Sequence, residues 1–370
     1  MHRGTPLQRF GGYLTRPVEV LKGVRRASLR FDAVAGLTVA VVAIPQSIAY
    51  AAIAGLPPAV GLYAACVASV VGALWGSSRH LSTGPTNASS LLVLSVLAPL
   101  FVVGSRDFVI AAGAMAVLAG LCRIVFAFAG LGVLVNFASR AVLIGFTAGA
   151  AVLIAVGQLK TLLRLEVPRT PHLHHTLLGV ASQLDETHLP SLAIGVGTLV
   201  VIAVLQRVAR RVPGPLVALA AAGAVTAALG ADRLGVAVVG EIPRALPRVT
   251  DLRVGWLLDG EVFGALLAGA MAVAALGLAE AISIAREIAR QSGDRVDVNQ
   301  ELVGQGMANV ATGLLGGYPS SGSFTRSAVN FQAGARTQLA GVLCGLFVLA
   351  AVFAFGPLAA FLPQAALAGL

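Results

Sequence analysis

The sequence predicts an all-α integral membrane protein, and three observations carry that prediction. Hydrophobic residues make up 57% of the 370-residue chain and charged residues 11%, against about 25% charged in ordinary soluble domains, and the mean hydropathy is +0.87. A soluble chain of this size needs far more polar surface. Apolar runs long enough to cross a bilayer recur along the whole length, with room for roughly ten to twelve spans at about 20 residues each plus short loops. Two of those runs, one in each half of the chain, are interrupted by stretches rich in Gly, Pro, Ser and Thr.

Taken in order, residues 1–32 read as a basic cytoplasmic arm, in which Arg3, Arg9, Arg16, Lys22, Arg25, Arg26 and Arg30 face Glu19. An amphipathic helix lying on the membrane is expected near Val18–Leu29. The net charge of +10 does not point to nucleic acid, because the basic residues collect beside apolar runs, the pattern of anchoring next to anionic lipid. Ala33–Ala54 is a retained first span rather than a removable signal peptide. It ends at the Leu56-Pro57-Pro58 break, and a second span follows at 59–75. Residues 76–90 are polar, and the apolar piece at 88–103 is too short to cross unless the polar stretch also enters the membrane. Further spans are expected at 108–129, 133–159, 190–208, 214–230, 262–285, 298–315 and 338–361. Polar loops are expected at 160–190 and 231–260, a second irregular segment at 316–336, and a further span beginning after Pro363. With the amino end inside, Arg140, Arg207–Arg211, Arg286–Arg295 and Arg336 fall inside; Lys160, Arg164, Arg169 and Arg244–Arg253 fall outside.

The segments STGPTNASSLLVLSVL, from Ser82, and GGYPSSGSFTRSAVNF, from Gly316, are the most informative. In lipid every backbone polar group must be satisfied, so broken helices persist only where they line a cavity or are buried in protein. A matched pair is the sequence pointer to a transporter's central site. A half-helix starting at mid-membrane aims free N–H groups and a positive dipole end into the cavity, so two facing ends make an anion site. Arg326 adds a full positive charge there, and Ser89, Ser90, Ser323 and Thr325 can donate hydroxyl hydrogen bonds. Two ordinary polar loops are the bland alternative.

Glu280, in AVAALGLAEAISIA, is an intramembrane carboxylate and so a functional candidate: it can bind a coupling cation, carry a proton, or pair with Arg326, unless it is only a structural salt bridge. Arg123, also in an apolar run, reads as structural or interfacial, with its side chain snorkelling. Gln46 and Tyr50 follow Pro45 at helical spacing on one face and are expected to line the cavity, the alternative being interhelical hydrogen bonding alone. His172, His174 and His175 have loose metal-like spacing but sit in a polar loop, and Cys66, Cys122 and Cys344 read as small buried hydrophobes. No metal site is expected. No nucleophile–base constellation appears in any loop, which argues against an enzyme.

The run IPQSIAYAAIAGLPPAVGLYAA followed by GSSRHLSTGPTNASS resembles the amino-terminal signature of the SulP anion transporters, the solute carrier 26 family. The resemblance continues in NFASRAVLIGFTAGAAVLIAVGQL and in NQELVGQGMANVATGLLGGYPSSGSFTRSAVNFQAGARTQLAG. It implies a 7+7 inverted-repeat transporter fold with two half-helices. Core segments are then expected at 33–132 and 261–362, and gate segments at 133–260 with the start of segment 12 at 363–370. It implies that Gln46, Tyr50, Ala88, Ser89, Ser90, Phe324, Thr325 and Arg326 line the substrate site and that Glu280 serves coupling. Measured against that pattern the second repeat is incomplete and the carboxy-terminal STAS domain is absent, so a truncated bacterial member is expected, with dimerisation tied to a full-length chain. The implied function is secondary transport of a small anion (sulfate, bicarbonate, chloride or a dicarboxylate) across the cell inner (cytoplasmic) membrane by an elevator-type mechanism. No cofactor beyond a coupling H+ or Na+ is implied. The alternatives are a nucleobase permease of the same fold, a voltage-responsive or channel-like protein, and a non-transporting remnant.

Overall fold

The computed structural model describes residues 6–132, 140–167, 173–209, 212–240, 242–247, 249–250, 255 and 259–370. The fold is almost entirely helical. Two compact units emerge, one from Met1–Leu143 with Leu246–Ala350, the other from Ile144–Ala245 with Ala351–Leu370.

The first unit opens with α1 (Pro6–Lys22), which packs on α3 (Pro58–Trp75). The amphipathic helix therefore lies at 6–22 and not at 18–29. It stops at Gly23, and α2 (Arg26–Ile53) runs on from Arg26 as one helix through the expected first span. Pro45 inside α2 has no N–H to give to the carbonyl four residues back. Pro58 sits at the first position of α3, where a missing N–H costs nothing. α4 (Asn87–Leu97) follows an extended stretch and is about 16 Å long at 1.5 Å per residue, half of a bilayer's hydrocarbon core.

α5 (Arg106–Phe128) is capped by the Ser105 hydroxyl, which accepts from the Phe108 N–H. α11 (Gly260–Ser292) is capped by Asp259 and closed by Gly293 in the left-handed conformation (φ 75°), and α12 (Val298–Leu314) by Asp297. α13 (Phe324–Gln332) is the second short helix, and α14 (Leu339–Phe355) follows.

Glycines set the closest helix pair. A Cβ on Gly120 would lie 2.5 Å from the Gly306 carbonyl oxygen, and one on Gly313 would overlap the Gly113 carbonyl. Four glycines, two on α5 and two on α12, thus form a seam along which the backbones touch. In lipid, where apolar burial between helices gains little, such close van der Waals contact is what associates helices.

The second unit holds most of α6 (Arg140–Leu163), with α7 (Leu173–Ser182), α8 (Leu189–Val208), α9 (Gly214–Leu229), α10 (Ala231–Leu234) and α15 (Gln364–Ala368). α15 packs on α8 and α9, and its leading segment pairs with 237–239 through Val239 N–H to Leu362 O at 2.9 Å and Gln364 N–H to Ala237 O at 2.8 Å. Among the described residues six helices are long and apolar enough to cross a membrane. α8 carries exposed Val196, Leu199, Val200 and Val204, an apolar surface suited to lipid. His172, Arg169, Arg210, Arg211 and Arg253 lie outside the described residues, as do 133–139 at the start of the expected span at 133–159. His174 and His175 stack with ring centroids 4.2 Å apart on α7, and no metal-holding cluster occurs among the described residues.

Candidate functional site

Both irregular segments become a short extended piece leading into a short helix. β1 (Thr83–Gly84) and β2 (Ser321–Gly322) pair antiparallel, Thr83 opposite Gly322 and Gly84 opposite Ser321. Two residues beyond β1, Thr86 caps α4; one residue beyond β2, Ser323 caps α13. The pairing therefore sets the amino ends of the two half-helices side by side. Ser323 N–H donates to Ser82 O at 3.0 Å and Ser82 N–H to Ser327 Oγ at 2.9 Å, extending the ladder by side-chain chemistry.

The extended backbone is satisfied by buried polar residues of neighbouring helices. Asn309 of α12 clamps Ser320: its amide nitrogen donates to Ser320 O at 2.9 Å while its oxygen accepts from Ser320 N–H at 2.8 Å. Gln305, one turn earlier, donates to Thr83 Oγ1 at 2.7 Å, and Ser69 of α3 donates to Thr83 O at 3.0 Å. Arg123 of α5 donates to Ser320 O at 2.8 Å and to Val273 O at 3.0 Å. It is fully buried, which corrects the snorkelling expectation: the guanidinium holds backbone inside the bundle. Gly277 makes room for it, since a Cβ there would collide with the guanidinium.

Arg326 is also fully buried. It donates to Gln46 Oε1 at 3.2 Å and to Pro85 O at 2.9 Å. It thus ties α13 both to α2 and to the residue that leads into α4. Gly84 sits against it, a Cβ there coming within 3.0 Å of Nη2. Tyr50 stands one turn beyond Gln46 on α2. Glu280 does not pair with Arg326. Its charged neighbour is Arg123, and the Ser321 hydroxyl lies within reach of both Glu280 and the Gly277 carbonyl. Glu280 Oε2 and Arg123 Nε are buried and have no hydrogen-bond partner among the described residues.

The donors divide unequally. Ser90 is buried, donates to Thr86 O at 2.8 Å and meets the Tyr318 hydroxyl at 2.9 Å, so its single proton is committed within the protein. Ala88 N–H is taken by Asn87 Oδ1 at 2.8 Å. Ser89 accepts from the Thr86 hydroxyl at 3.1 Å and keeps its own proton. At the second half-helix Phe324 and Thr325 are exposed, and their N–H groups precede the first intrahelical acceptor. The structure joins Arg326 directly to Gln46 and Pro85, sets Ser89, Phe324 and Thr325 at the amino ends of α4 and α13, and bonds Ser90 and the Ala88 N–H within the protein. Sequence reading passed over Gln305, Asn309, Thr83 and Tyr318. The four-residue spacing of Gln305 and Asn309 on one helix face was the available signal.

This arrangement has known counterparts. Residues 29–370 match the sulfate permease family. A probable sulfate transporter of Mycobacterium tuberculosis is 38% identical over 94% of this chain and 61% of its own length. Human solute carrier family 26 member 6 is 33% identical over 92% of this chain and 47% of its own. The chain thus spans about half to three fifths of the length of these relatives. The transmembrane domain of a cyanobacterial bicarbonate transporter, BicA, superposes with a TM-score of 0.87 at 26% identity, covering 94% of this chain and 87% of that one. These relatives are transporters and not enzymes. With spans, half-helices and family match in agreement, the chain is a multi-pass membrane protein that belongs to the sulfate permease (SulP, solute carrier 26) family.

Proposed function

We propose that the chain binds a small anion between the amino ends of α4 and α13 and forms the substrate-carrying part of a secondary anion transporter of the cytoplasmic membrane. The observation that carries this reading is the backbone pairing of β1 with β2, which sets two half-helix amino ends together beside Arg326. Positive dipole ends, the N–H groups of Phe324 and Thr325 and a guanidinium converge there, and among the described residues no carboxylate hydrogen-bonds to Arg326. That favours an anion over a nucleobase. Sulfate, bicarbonate, chloride and small dicarboxylates all suit such a pocket, and the probable sulfate transporter and the bicarbonate transporter among the relatives point the same way.

Glu280, beside Arg123 and behind the site, is the candidate for H+ or Na+ coupling. Movement is read as elevator-type, core segments 33–132 and 261–362 shifting against gate segments as inverted repeats, with a homodimer as the assembled form. The test is calorimetric titration of the purified chain with sulfate, bicarbonate, chloride and fumarate. Saturable binding of at least one, lost in Thr325→Pro, which removes an N–H at the amino end of α13, supports the reading. No saturable binding of any of the four to folded protein overturns it.

A further inference from the structure

Outside the half-helix site, the first unit holds a second basic feature, a cavity of about 640 Å3 lined by Arg16, Arg25, Arg79, Arg295, Arg336 and a lone carboxylate, Glu19. The five arginines arrive from five places: α1, the α1–α2 turn, the stretch before β1, the α11–α12 loop and the α13–α14 loop. Three are positioned by the protein. Arg16 pairs with Glu19 at 3.0 Å, Arg79 with Asp294 at 3.3 Å, and the Arg336 guanidinium stacks 3.5 Å from the centroid of Phe31. Asp32, fully buried, fixes the loop that carries Arg336 by accepting from the N–H groups of Arg336 at 2.7 Å and Thr337 at 3.0 Å. Arg25 and Arg295 are exposed and have no ion-pair partner among the described residues. Converging like charges around one hollow raise its potential and favour an anion inside it, and the volume lies in the range of small-molecule sites.

We infer that this cavity is a second anion site, distinct from the half-helix site, and that it takes a ligand carrying two phosphate groups. Arginine's planar fork suits phosphate oxygens bidentately. Glu19 offsets Arg16 and Asp294 offsets Arg79, which leaves Arg25, Arg295 and Arg336 without an ion-pair partner among the described residues; three such charges exceed what a single phosphate neutralises, and the volume exceeds what it fills. Arg25 stands immediately before α2, a membrane-spanning helix, so the cavity lies at the level of lipid headgroups as well as open water. A free diphosphate and a diphosphate lipid headgroup share the chemistry required. The walls include Ser77 and Arg79, which lead into β1, and Thr337 and Gln338, which follow α13. An occupant therefore bridges the segments that carry both half-helices.

The experiment uses the purified chain, with R25Q/R295Q as the test variant, since neither side chain has a partner whose loss would unfold the protein. One arm titrates sodium pyrophosphate by calorimetry and follows thermal unfolding. The other compares nanodiscs of phosphatidylglycerol alone with nanodiscs containing cardiolipin, which has two phosphates in one headgroup, using native mass spectrometry to read retained lipid. Saturable pyrophosphate binding with a raised unfolding temperature assigns a soluble ligand. Selective retention of cardiolipin assigns a lipid. In either case the variant is expected to weaken binding about tenfold or more per arginine while leaving sulfate titration at the half-helix site unchanged. Absence of binding in both arms, or equal binding by variant and wild type, overturns the inference.

Discussion

Replacing Arg326 perturbs two things at once, and the structure separates them. The guanidinium donates to the buried Pro85 carbonyl at 2.9 Å and to Gln46 Oε1 at 3.2 Å. Arg326→Ala therefore leaves a buried carbonyl unpaired, at a cost of about 1–3 kcal/mol, besides removing a charge-assisted bond to the half-buried Gln46. The geometry predicts a loss of roughly 2–4 kcal/mol of stability beside the weakened anion binding. Gln46→Ala loses only the weaker bond, about 1 kcal/mol. Arg326→Lys keeps the charge but replaces the fork with a single point of contact. The assay pairs thermal unfolding of purified protein with sulfate titration for all three variants. The expected order of stability is wild type, Gln46→Ala, Arg326→Lys, Arg326→Ala. Anion affinity is expected to fall about ten- to a hundredfold in Arg326→Ala and to survive largely in Arg326→Lys. An Arg326→Ala protein as stable as wild type would refute the tie to Pro85, and unchanged affinity in that folded variant would remove Arg326 from the site.

Other expectations follow from the same network. Asn309→Leu leaves the buried Ser320 N–H without a partner and the Ser320 carbonyl with Arg123 alone, and is expected to cost about 1–3 kcal/mol, read as a lowered unfolding temperature, whereas Asn299→Leu on the same helix serves as the milder control. Gly120→Val forces α5 from α12 and is expected to abolish folded, monodisperse protein in size-exclusion chromatography; normal elution would show that the seam yields. Glu280→Gln leaves Arg123 buried without its counter-charge, so the unfolding temperature should drop, and Arg123→Met, which also strips the bonds to Ser320 O and Val273 O, should lower it further; a Glu280→Gln protein as stable as wild type would refute the pairing. If Glu280 carries the coupling ion, uptake in proteoliposomes loses its dependence on pH or sodium in Glu280→Gln, and identical profiles would leave only the structural role.

Spans and breaks are written locally, and for that reason they were legible. Apolar runs announce helices, and the Gly, Pro and Ser clusters at 82–86 and 316–323 announce where they stop, so both half-helices fall where the sequence placed them. What the sequence withheld depends on partners distant along the chain. Arg123 looked like a lone cation in an apolar run because Val273 and Ser320, the groups it serves, lie far downstream. Ser90 looked like a donor to the site because Tyr318, whose hydroxyl it meets, lies 228 residues downstream. α1 tolerates Gly11, Gly12 and Pro17, residues that locally argue against a helix, because packing on α3 outweighs propensity. Gln305 and Asn309 carried a readable spacing, but only the fold reveals that Thr83 and Ser320 stand opposite them.

The ladder between β1 and β2 also fixes an order of assembly. Ser82 and Ser327, hydrogen-bonded to one another, are 245 residues apart in the chain, and α4 alone is half the length a bilayer crossing requires. When the ribosome has delivered the first half, the stretch from Ser82 to Thr86 has no strand to pair with, and each unmet backbone group in lipid costs several kcal/mol. That segment must wait at the interface or inside the insertion machinery until α12 brings Gln305 and Asn309 and β2 arrives to be paired. Biogenesis of this protein is thus gated by a contact of very high sequence separation, the slowest kind to close. Synthesis paused before residue 321 should leave the first half-helix accessible to water-soluble thiol reagents at an introduced cysteine, and synthesis carried past Gln332 should bury it.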